Sequence, residues 1–304
     1  MRLAASILHC FLALALAPLL LGVINRTKAF FGGRRGQPLF QAYHDLRKLI
    51  RKGAVYSHTT TWMFRIGPAL GLAVLLAGLT VLPAGGLRAL FAFRGDFVFL
   101  AYALGLMRFF TVLAALDTGS VFEGMGASRE MQFALLSELV LFAGMAVLAA
   151  ESGRLSLSEM YGQLWSPGML TEGAPVLLVA ATLLMVLLAE NARIPVDDPT
   201  THLELTMIHE VMVLDHSGVE LAFIQYGTAL KLWLFAALVA GLAIPLRTGE
   251  PLLDLVITVA GIFSTAVVVG IVESTMARLR LVRVPQMLLV SLALSLSAFF
   301  WILR

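Results

Sequence analysis

The sequence predicts an all-α, polytopic integral membrane protein with about eight transmembrane helices, and three observations lead to this fold class. Of the 304 residues, 59% are hydrophobic and only 13% are charged, a composition far outside that of soluble globular domains. The mean hydropathy is +0.89. Long runs without charge recur along the whole chain, so no part of it is left over for a separate soluble domain.

Eight apolar segments are long enough to cross a hydrocarbon core of about 30 Å at 1.5 Å per helical residue. They cover roughly residues 3–24, 62–83, 97–116, 133–150, 175–190, 226–245, 252–272 and 285–303. The chain is then a single membrane domain over residues 1–304. Its two longest interruptions, 25–61 and 191–225, are predicted to be cytoplasmic interface loops or short helices that fold against the membrane part.

The positions of Lys and Arg predict the orientation. The loops after the first, third, fifth and seventh spans carry 13 basic residues, against six on the other side. Because short cytoplasmic loops are enriched in Lys and Arg, both termini are predicted to lie outside. The first span resembles a secretory signal, but basic residues such as Arg26 and Lys28 follow it, which favours a span that is retained.

The sequence predicts no catalytic residue, metal site or cofactor in this chain. Its one cysteine, Cys10, lies within the first span, and iron–sulfur clusters and zinc ribbons need several thiolates. Nucleotide-binding glycine motifs and a serine nucleophile elbow are absent from the sequence. His202, Glu204 and His209 do not have the spacing of a His-Glu-x-x-His zinc site. No nucleic-acid partner is expected.

Ionisable residues within the spans are informative, because a charge at the bilayer centre costs about 2.5–3.5 kcal/mol on insertion scales. Arg108 and Glu138 lie in apolar sequence and could simply pair with each other. Two interpretations, a structural ion pair and a functional role, remain open for Arg65, Lys231 and Asp254. The apolar surroundings of Glu138 offer no local route to water, which favours a function for this residue.

The densest cluster of charge follows the fifth span. Six acidic residues share this segment with Arg193 and three histidines, namely Glu190, Asp197, Asp198, Glu204, Glu210, Asp215, His202, His209 and His216. Pro195 and Pro199 predict that the chain turns here. A helical period from Thr200 to Leu214 then places carboxylates among apolar residues. This pattern predicts a buried polar track, and a solvated amphipathic loop helix is the alternative.

Four stretches together resemble a known family. They are Arg34-Arg35-Gly36-Gln37-Pro38 with Asp45-Leu46-Arg47-Lys48; Asp117-Thr118-Gly119-Ser120 with Ser128-Arg129-Glu130; Glu190-Asn191-Ala192-Arg193-Ile194-Pro195-Val196-Asp197; and Glu204-Leu205-Thr206-Met207-Ile208-His209-Glu210. The chain resembles the membrane subunit of energy-converting nickel–iron hydrogenases and formate hydrogenlyase, which is related to the quinone-site membrane subunit of respiratory complex I. It departs from the family pattern at Gln37 and at Asp215-His216.

The resemblance implies roles for two sets of residues. A proton or ion pathway would run through the carboxylates Glu138, Glu190, Glu204, Glu210, Asp215 and Glu273. An interface with a cytoplasmic redox arm would contain Arg34, Arg35, Asp45, Arg47, Lys48, Asp117, Arg129, Glu130, Arg193, Asp197, Arg278, Arg280 and Arg283. The basic residues of the second set are equally explained as positive-inside charges near anionic lipid.

The resemblance also implies the partners and the location. These would be the large and small subunits of a nickel–iron hydrogenase, a ferredoxin-like iron–sulfur subunit and antiporter-like membrane subunits, in the inner membrane of a bacterial or archaeal cell. Iron–sulfur clusters and the nickel–iron centre would belong to the partners. Two alternatives remain open: the quinone-site subunit of a complex I-like NADH dehydrogenase, and a self-contained secondary transporter, which would require inverted repeats.

Overall fold

A computed structural model describes residues 2–164, 173–197 and 207–303 of the chain. The described residues form ten α-helices and two short 3-10 turns, Glu210–Val213 and Leu281–Arg283. The helices are α1 (Arg2–Phe31), α2 (Gln41–Ile50), α3 (Trp62–Thr80), α4 (Asp96–Asp117), α5 (Val121–Ser152), α6 (Leu157–Gln163), α7 (Gly173–Glu190), α8 (Gly218–Ala243), α9 (Pro251–Thr275) and α10 (Val284–Ile302). Within these described ranges, eight helical segments are long and apolar enough to cross a membrane, which confirms the predicted all-α, multi-pass fold class.

Several helices extend beyond the apolar segments that predict them. Helix α1 continues to Phe31, α5 begins at Val121 and α8 begins at Gly218. The extra turns contain polar residues, such as Glu123 in α5. Hydropathy marks only the part of a helix that crosses the hydrocarbon core, whereas the helical hydrogen bonds continue into the polar layer.

Helix α8 lies at the centre of the bundle. Every residue from Ala229 to Leu242 is buried, and the helix packs against α1, α2, α3, α7 and α9. A helix that is apolar all round and surrounded by other helices is typical of the core of a bundle. The single charged residue in its buried part, Lys231, therefore has to find its partner inside the protein.

Two tyrosines attach α2 and α8 to an interruption in α1. Pro18 lies inside α1 and has no N–H, so the carbonyl of Leu14, four residues earlier, lacks its helical donor. The hydroxyl of Tyr226 in α8 donates to that carbonyl at 2.8 Å. The hydroxyl of Tyr43 in α2 donates to the next carbonyl, that of Ala15. The amphipathic helix α2 is thereby held against the membrane bundle.

The first prediction concerns this contact. Tyr226→Phe should destabilise the subunit by about 1 kcal/mol, the size of a hydrogen bond between membrane helices. In a Pro18→Ala background the Leu14 carbonyl regains a helical donor, so the same substitution should cost clearly less. Thermal unfolding of the four variants in detergent gives the double-mutant cycle. An undiminished cost in the Pro18→Ala background would show that the Tyr226 contact does not compensate for the proline.

The second prediction concerns orientation. An even number of spans places both termini on one side, and the excess of Lys and Arg in the loops predicts that this side is the outside. In a Cys10→Ala background, Arg51→Cys should react with a thiol reagent only when the reagent reaches the cytoplasm. Arg94→Cys, which replaces another exposed arginine, should react from the outside. The opposite pattern would reverse the orientation.

Candidate functional site

The candidate site is a network of buried charges centred on Arg108 of α4, which is 5% exposed. Among the described residues its guanidinium contacts three carboxylates. It donates through Nη2 to both oxygens of Glu190, at 2.6 and 2.7 Å, and through Nη1 to Glu138 at 2.7 Å. Its Nε lies 3.3 Å from an oxygen of Glu130, close enough for an ion pair but without hydrogen-bond geometry. The planar guanidinium suits this role because its donors form a rigid fork.

Glu190, the last residue of α7, is the carboxylate with the most partners. Besides Arg108, the ammonium nitrogen of Lys231 lies 2.8 Å from its Oε2, and the hydroxyl of Ser137 donates to its Oε1. Lys231 is 1% exposed and Glu190 is 7% exposed. A carboxylate can stay ionised at this depth only when cations and hydrogen bonds replace its hydration.

A loop segment completes the network from one side. His209 lies immediately before the turn Glu210–Val213, and its Nδ1 is 3.4 Å from an oxygen of Glu130. The loop approaches α5 closely at Gly126, where a Cβ atom would lie 2.3 Å from the side chain of Val211. Any larger residue at Gly126 would push the loop away, so this glycine allows His209 to reach Glu130.

The charges of this network do not balance by themselves. In the part of the chain that the structure describes, Arg108 and Lys231 face three carboxylates, those of Glu130, Glu138 and Glu190. With all three ionised, the network carries one excess negative charge. A single proton, on His209 or on a carboxylate, would neutralise it.

A second group of charges surrounds Glu273 near the end of α9. Its carboxylate lies 2.9 Å from the ammonium of Lys28 in α1 and 3.4 Å from the guanidinium of Arg193. The side chain of Glu273 is fully buried. These contacts tie the turn after α7 to α1 and α9, so Glu273 has a clear structural role.

The turn after α7 is fixed by Asp197. This carboxylate accepts a hydrogen bond from the backbone N–H of Ile208 at 2.9 Å and lies 2.8 Å from the guanidinium of Arg278. The carbonyl of Pro195 accepts from the backbone N–H of Leu279 at 2.8 Å. Asp197 therefore holds the segment before His209 through Ile208, and Asp197 and Pro195 attach the turn after α7 to Arg278 and Leu279.

A third polar cluster lies at the start of α5. Glu123 is 1% exposed; it accepts hydrogen bonds from the hydroxyl of Thr118 and from the backbone N–H of Asp215. Next to it, the ring of His216 stacks on Phe64 with centroids 3.9 Å apart. Burial lowers the pKa of His216 to about 4, against the opposing effect of the nearby carboxylates Glu220 and Asp215.

The structure brings together only some of the residues predicted for the pathway. Glu138 and Glu190 share Arg108, although 38% of the Glu138 side chain is exposed. Glu210 begins the turn near His209 and is half-buried, whereas Asp215 is exposed and so is not one of the buried carboxylates. Glu273 belongs to the second charge group, and Glu204 lies outside the described residues.

The residues predicted for the interface divide into two groups. Six are exposed cations: Arg34, Arg35, Arg47, Lys48, Arg280 and Arg283. The others have partners within the chain: Asp45 with Gln41, Asp117 with Thr61, Arg129 with the carbonyl of Met207, and Glu130, Arg193, Asp197 and Arg278 as described above. Glu130, Arg193 and Asp197 are buried rather than exposed, and each has a charged partner within the chain.

Sequence reasoning assigned no pathway role to Lys231, Ser137 or Glu123. The alternative in which Arg108 pairs with Glu138 is observed, at 2.7 Å; a functional role for Glu138 stays a prediction. The sequence signal for Lys231 is its position as a lone lysine in an apolar span. Only the packing of α7 against α8 identifies Glu190 as its partner.

The predicted helix from Thr200 to Leu214 is not observed in its described part. Residues 207–214 contain only the 3-10 turn Glu210–Val213 as helical structure, because backbone contacts to Asp197 and Arg129 fix the segment instead of helical hydrogen bonds. No group of His, Cys, Asp and Glu in the described ranges could hold a metal ion; the disfavoured zinc set includes His202 and Glu204, which lie outside those ranges.

Comparisons with known proteins agree over nearly the whole chain. A family model described as NADH dehydrogenase matches residues 3–303. Formate hydrogenlyase subunit 4 of Escherichia coli (strain K12) is 29% identical over 281 residues, which cover 90% of this chain and 90% of that protein. Hydrogenase-4 component C of the same strain is 31% identical over 305 residues, with 98% and 94% coverage.

A solved structure has the same fold. A chain of the membrane-bound sulfane sulfur reductase, an archaeal respiratory membrane complex, superposes with a TM-score of 0.84 over 99% of both chains. The sequence identity is 19%, so this likeness establishes the fold and nothing about the reaction.

The third prediction concerns His216 and pH. Since its pKa is about 4 in the folded protein and 6.5 ordinarily, the unfolded chain takes up a proton between these values and the folded chain does not. The free energy of unfolding is therefore highest above pH 6.5 and falls as the pH is lowered from 6.5 to 4. The total decrease is up to about 3 kcal/mol, at 1.36 kcal/mol per pKa unit. His216→Phe keeps the ring stack and should remove this acid sensitivity in thermal unfolding in detergent.

The control for this experiment is His44→Gln, at an exposed position on α2. Its stability should follow the wild-type pH profile. An equal loss of stability on acidification in the wild type and in His216→Phe would rule out His216 as the source.

Proposed function

Because the chain belongs to the NADH dehydrogenase family, we propose that it is the membrane-anchoring and coupling subunit of a membrane-bound nickel–iron hydrogenase of the formate hydrogenlyase type. It would link a cytoplasmic redox arm to the translocation of protons or sodium ions. Its two curated relatives, formate hydrogenlyase subunit 4 and hydrogenase-4 component C, favour the hydrogenase branch of the family. The observation that carries the proposal is the buried network around Arg108.

The names of these relatives describe parts of larger assemblies, which supports a multi-subunit complex. The partners proposed from the family resemblance are hydrogenase large and small subunits, a ferredoxin-like iron–sulfur subunit and antiporter-like membrane subunits. The iron–sulfur clusters and the nickel–iron centre would belong to these partners. The complex would lie in the cell inner membrane with the redox arm on the cytoplasmic side.

The network can respond to charge on its loop side. His209 faces Glu130, so a proton that arrives at the histidine can pass to that carboxylate. The guanidinium of Arg108 does not release a proton in proteins, so it acts electrostatically. When one of its three carboxylates gains a proton, the ion pairs of Arg108 with the other two carboxylates strengthen. Onward proton transfer would then proceed through water or by rotation of a carboxylate.

Two observations support a role for Glu138 in passing a charge on to a neighbouring subunit. It is paired with Arg108 in the apolar middle of α5, and yet 38% of its side chain is exposed. A carboxylate that faced lipid at this depth would be costly, so we expect another membrane subunit to cover this surface. An antiporter-like partner with a polar group opposite Glu138 fits that requirement.

The exposed cations suit the proposed contact with the redox arm. Arg34 and Arg35 follow α1, Arg47 and Lys48 lie on α2, and Arg280 and Arg283 precede α10, all without an ion-pair partner in the described parts of the chain. Acidic surfaces of peripheral subunits, or anionic lipid, would neutralise them.

A second candidate is the quinone-site subunit of a complex I-like dehydrogenase. The description of the matching family as NADH dehydrogenase favours it. The two functions are distinguished by purifying the complex and measuring hydrogen turnover and quinone reduction. Quinone reduction without hydrogen turnover would replace the leading proposal.

The fourth prediction tests the coupling role. Glu138→Gln and Glu210→Gln should each preserve assembly and reduce ion uptake at least roughly tenfold, since an amide keeps the hydrogen bonds but cannot carry a proton at ordinary pH. Uptake is measured in vesicles that carry the intact complex at equal subunit content. If coupling is obligatory, hydrogen turnover falls with uptake. If the network gives electrostatic support only, turnover persists without a gradient.

The matched control is Glu159→Gln, at an exposed carboxylate 3.8 Å from Arg154 and remote in sequence from the network. It should leave uptake unchanged. Arg193→Gln is a contrasting variant, because it removes a partner of the buried Glu273 and should reduce assembly first. Wild-type uptake in both Glu138→Gln and Glu210→Gln would mean that these residues are structural.

A further inference from the structure

An apolar groove lies between α1 and α9, apart from the charge network. It has a volume of about 410 Å³. Its apolar lining is Val23, Phe30, Phe31, Leu39, Val267 and Ile271. Arg26 and Thr27 supply its polar edge. The groove is therefore a long hydrophobic surface with one cation at its rim.

The lengths of the two helices place this groove at the membrane interface. Helix α9 begins at Pro251, and 20 residues at 1.5 Å each reach Ile271 after about 30 Å, the thickness of the hydrocarbon core. Counted in the same way from Leu3, α1 reaches the same boundary at Val23. Arg26 then lies about 4.5 Å further on, in the headgroup layer.

The charge at the rim is not neutralised within the chain. Arg26 is exposed and forms no ion pair with any residue that the structure describes. No carboxylate lines the groove. Glu273, two residues after Ile271, is fully buried against Lys28 and Arg193, so it is not available to Arg26.

The walls of the groove are fixed by close backbone contacts. A Cβ atom at Gly270 in α9 would lie 2.7 Å from the side chain of Thr27, so the two helices touch there. A Cβ atom at Gly22 would lie 2.1 Å from the carbonyl oxygen of Leu39. The chain after α1 therefore folds back onto that helix, and the groove needs no rearrangement to accept a ligand.

We propose that this groove binds one anionic phospholipid. An acyl chain lies along Val23, Val267 and Ile271, and the phosphate contacts the guanidinium of Arg26. The depth favours a lipid over a soluble ligand, because Val23, Val267 and Ile271 lie within the hydrocarbon core or at its boundary, while Arg26 lies beyond it. The unpaired arginine favours an anionic headgroup over a zwitterionic one. The site does not depend on the hydrogenase assignment.

The fifth prediction is tested on the intact complex in nanodiscs that contain phosphatidylglycerol and phosphatidylcholine in equal amounts. Native mass spectrometry after partial delipidation measures which lipid is retained. The wild type should retain one phosphatidylglycerol in preference to phosphatidylcholine. Arg26→Gln should reduce that preference about fivefold, the effect of one basic residue at an anionic surface, and Arg26→Lys should restore most of it.

Two further variants separate the groove from general surface charge. Val267→Trp fills the groove and should abolish the retention of either lipid. Ile271→Trp, about one helical turn further along the lining, should do the same if Val267→Trp does not assemble. Arg51→Gln removes an exposed cation outside the groove and should leave the preference unchanged.

Three outcomes would overturn the proposal. They are equal retention of the two lipids by the wild type, an unchanged preference in Arg26→Gln, and an equal loss of preference in Arg51→Gln. A photoreactive amino acid in place of Phe31 identifies the occupant directly. A lipid adduct supports the proposal, whereas a crosslink to a partner subunit would assign the groove to protein docking.

Discussion

The ion pairing of Glu190 inside the membrane is the constraint on which the rest of the structure depends. Its carboxylate receives Arg108 from α4, Lys231 from α8 and Ser137 from α5. Four spans thus meet at one side chain. Each charge alone would be costly at this depth, and together they compensate one another. Removal of either cation would leave the buried carboxylates with less compensating positive charge, so the packing of these helices and the charge state of the network are coupled.

In the proposed function, this coupling lets the subunit respond to events outside the membrane. The loop that carries His209 is held rigidly by Asp197 and by the close contact at Gly126. A change in charge near the loop therefore acts on Glu130 through a fixed distance. Glu273, with Lys28 and Arg193, holds the turn after α7 in place. In the proposed function, the group around Arg108 responds to charge, whereas the group around Glu273 anchors the turn.

The surface of the subunit has three chemically different regions. Around Glu138, a partly exposed carboxylate lies in an apolar span and calls for a membrane partner. Around Arg34, Arg35 and α2, free cations face the aqueous side. Between α1 and α9, an apolar groove with a single arginine suits a lipid. Each region lacks a different kind of neighbour. Glu138 lacks a polar group in the membrane, the exposed cations lack a negatively charged protein surface, and the groove lacks a phosphate with an acyl chain.

The sequence by itself determined the fold class, the number of spans and the family, because hydropathy and motif spacing are properties of contiguous residues. It also determined that Arg108 and Glu138 needed partners. Only the tertiary structure decided which ones: Glu190 reaches Arg108 across 82 positions, Lys231 approaches it from another helix, and Glu130 is buried in the same network. In residues 207–214, the described part of the helix predicted over the His209 loop, a short turn is found instead, because contacts with α5 and Asp197 outweigh local helical preference. Hydropathy measures how each segment partitions into lipid, but the compensation of a buried charge depends on which helices pack together.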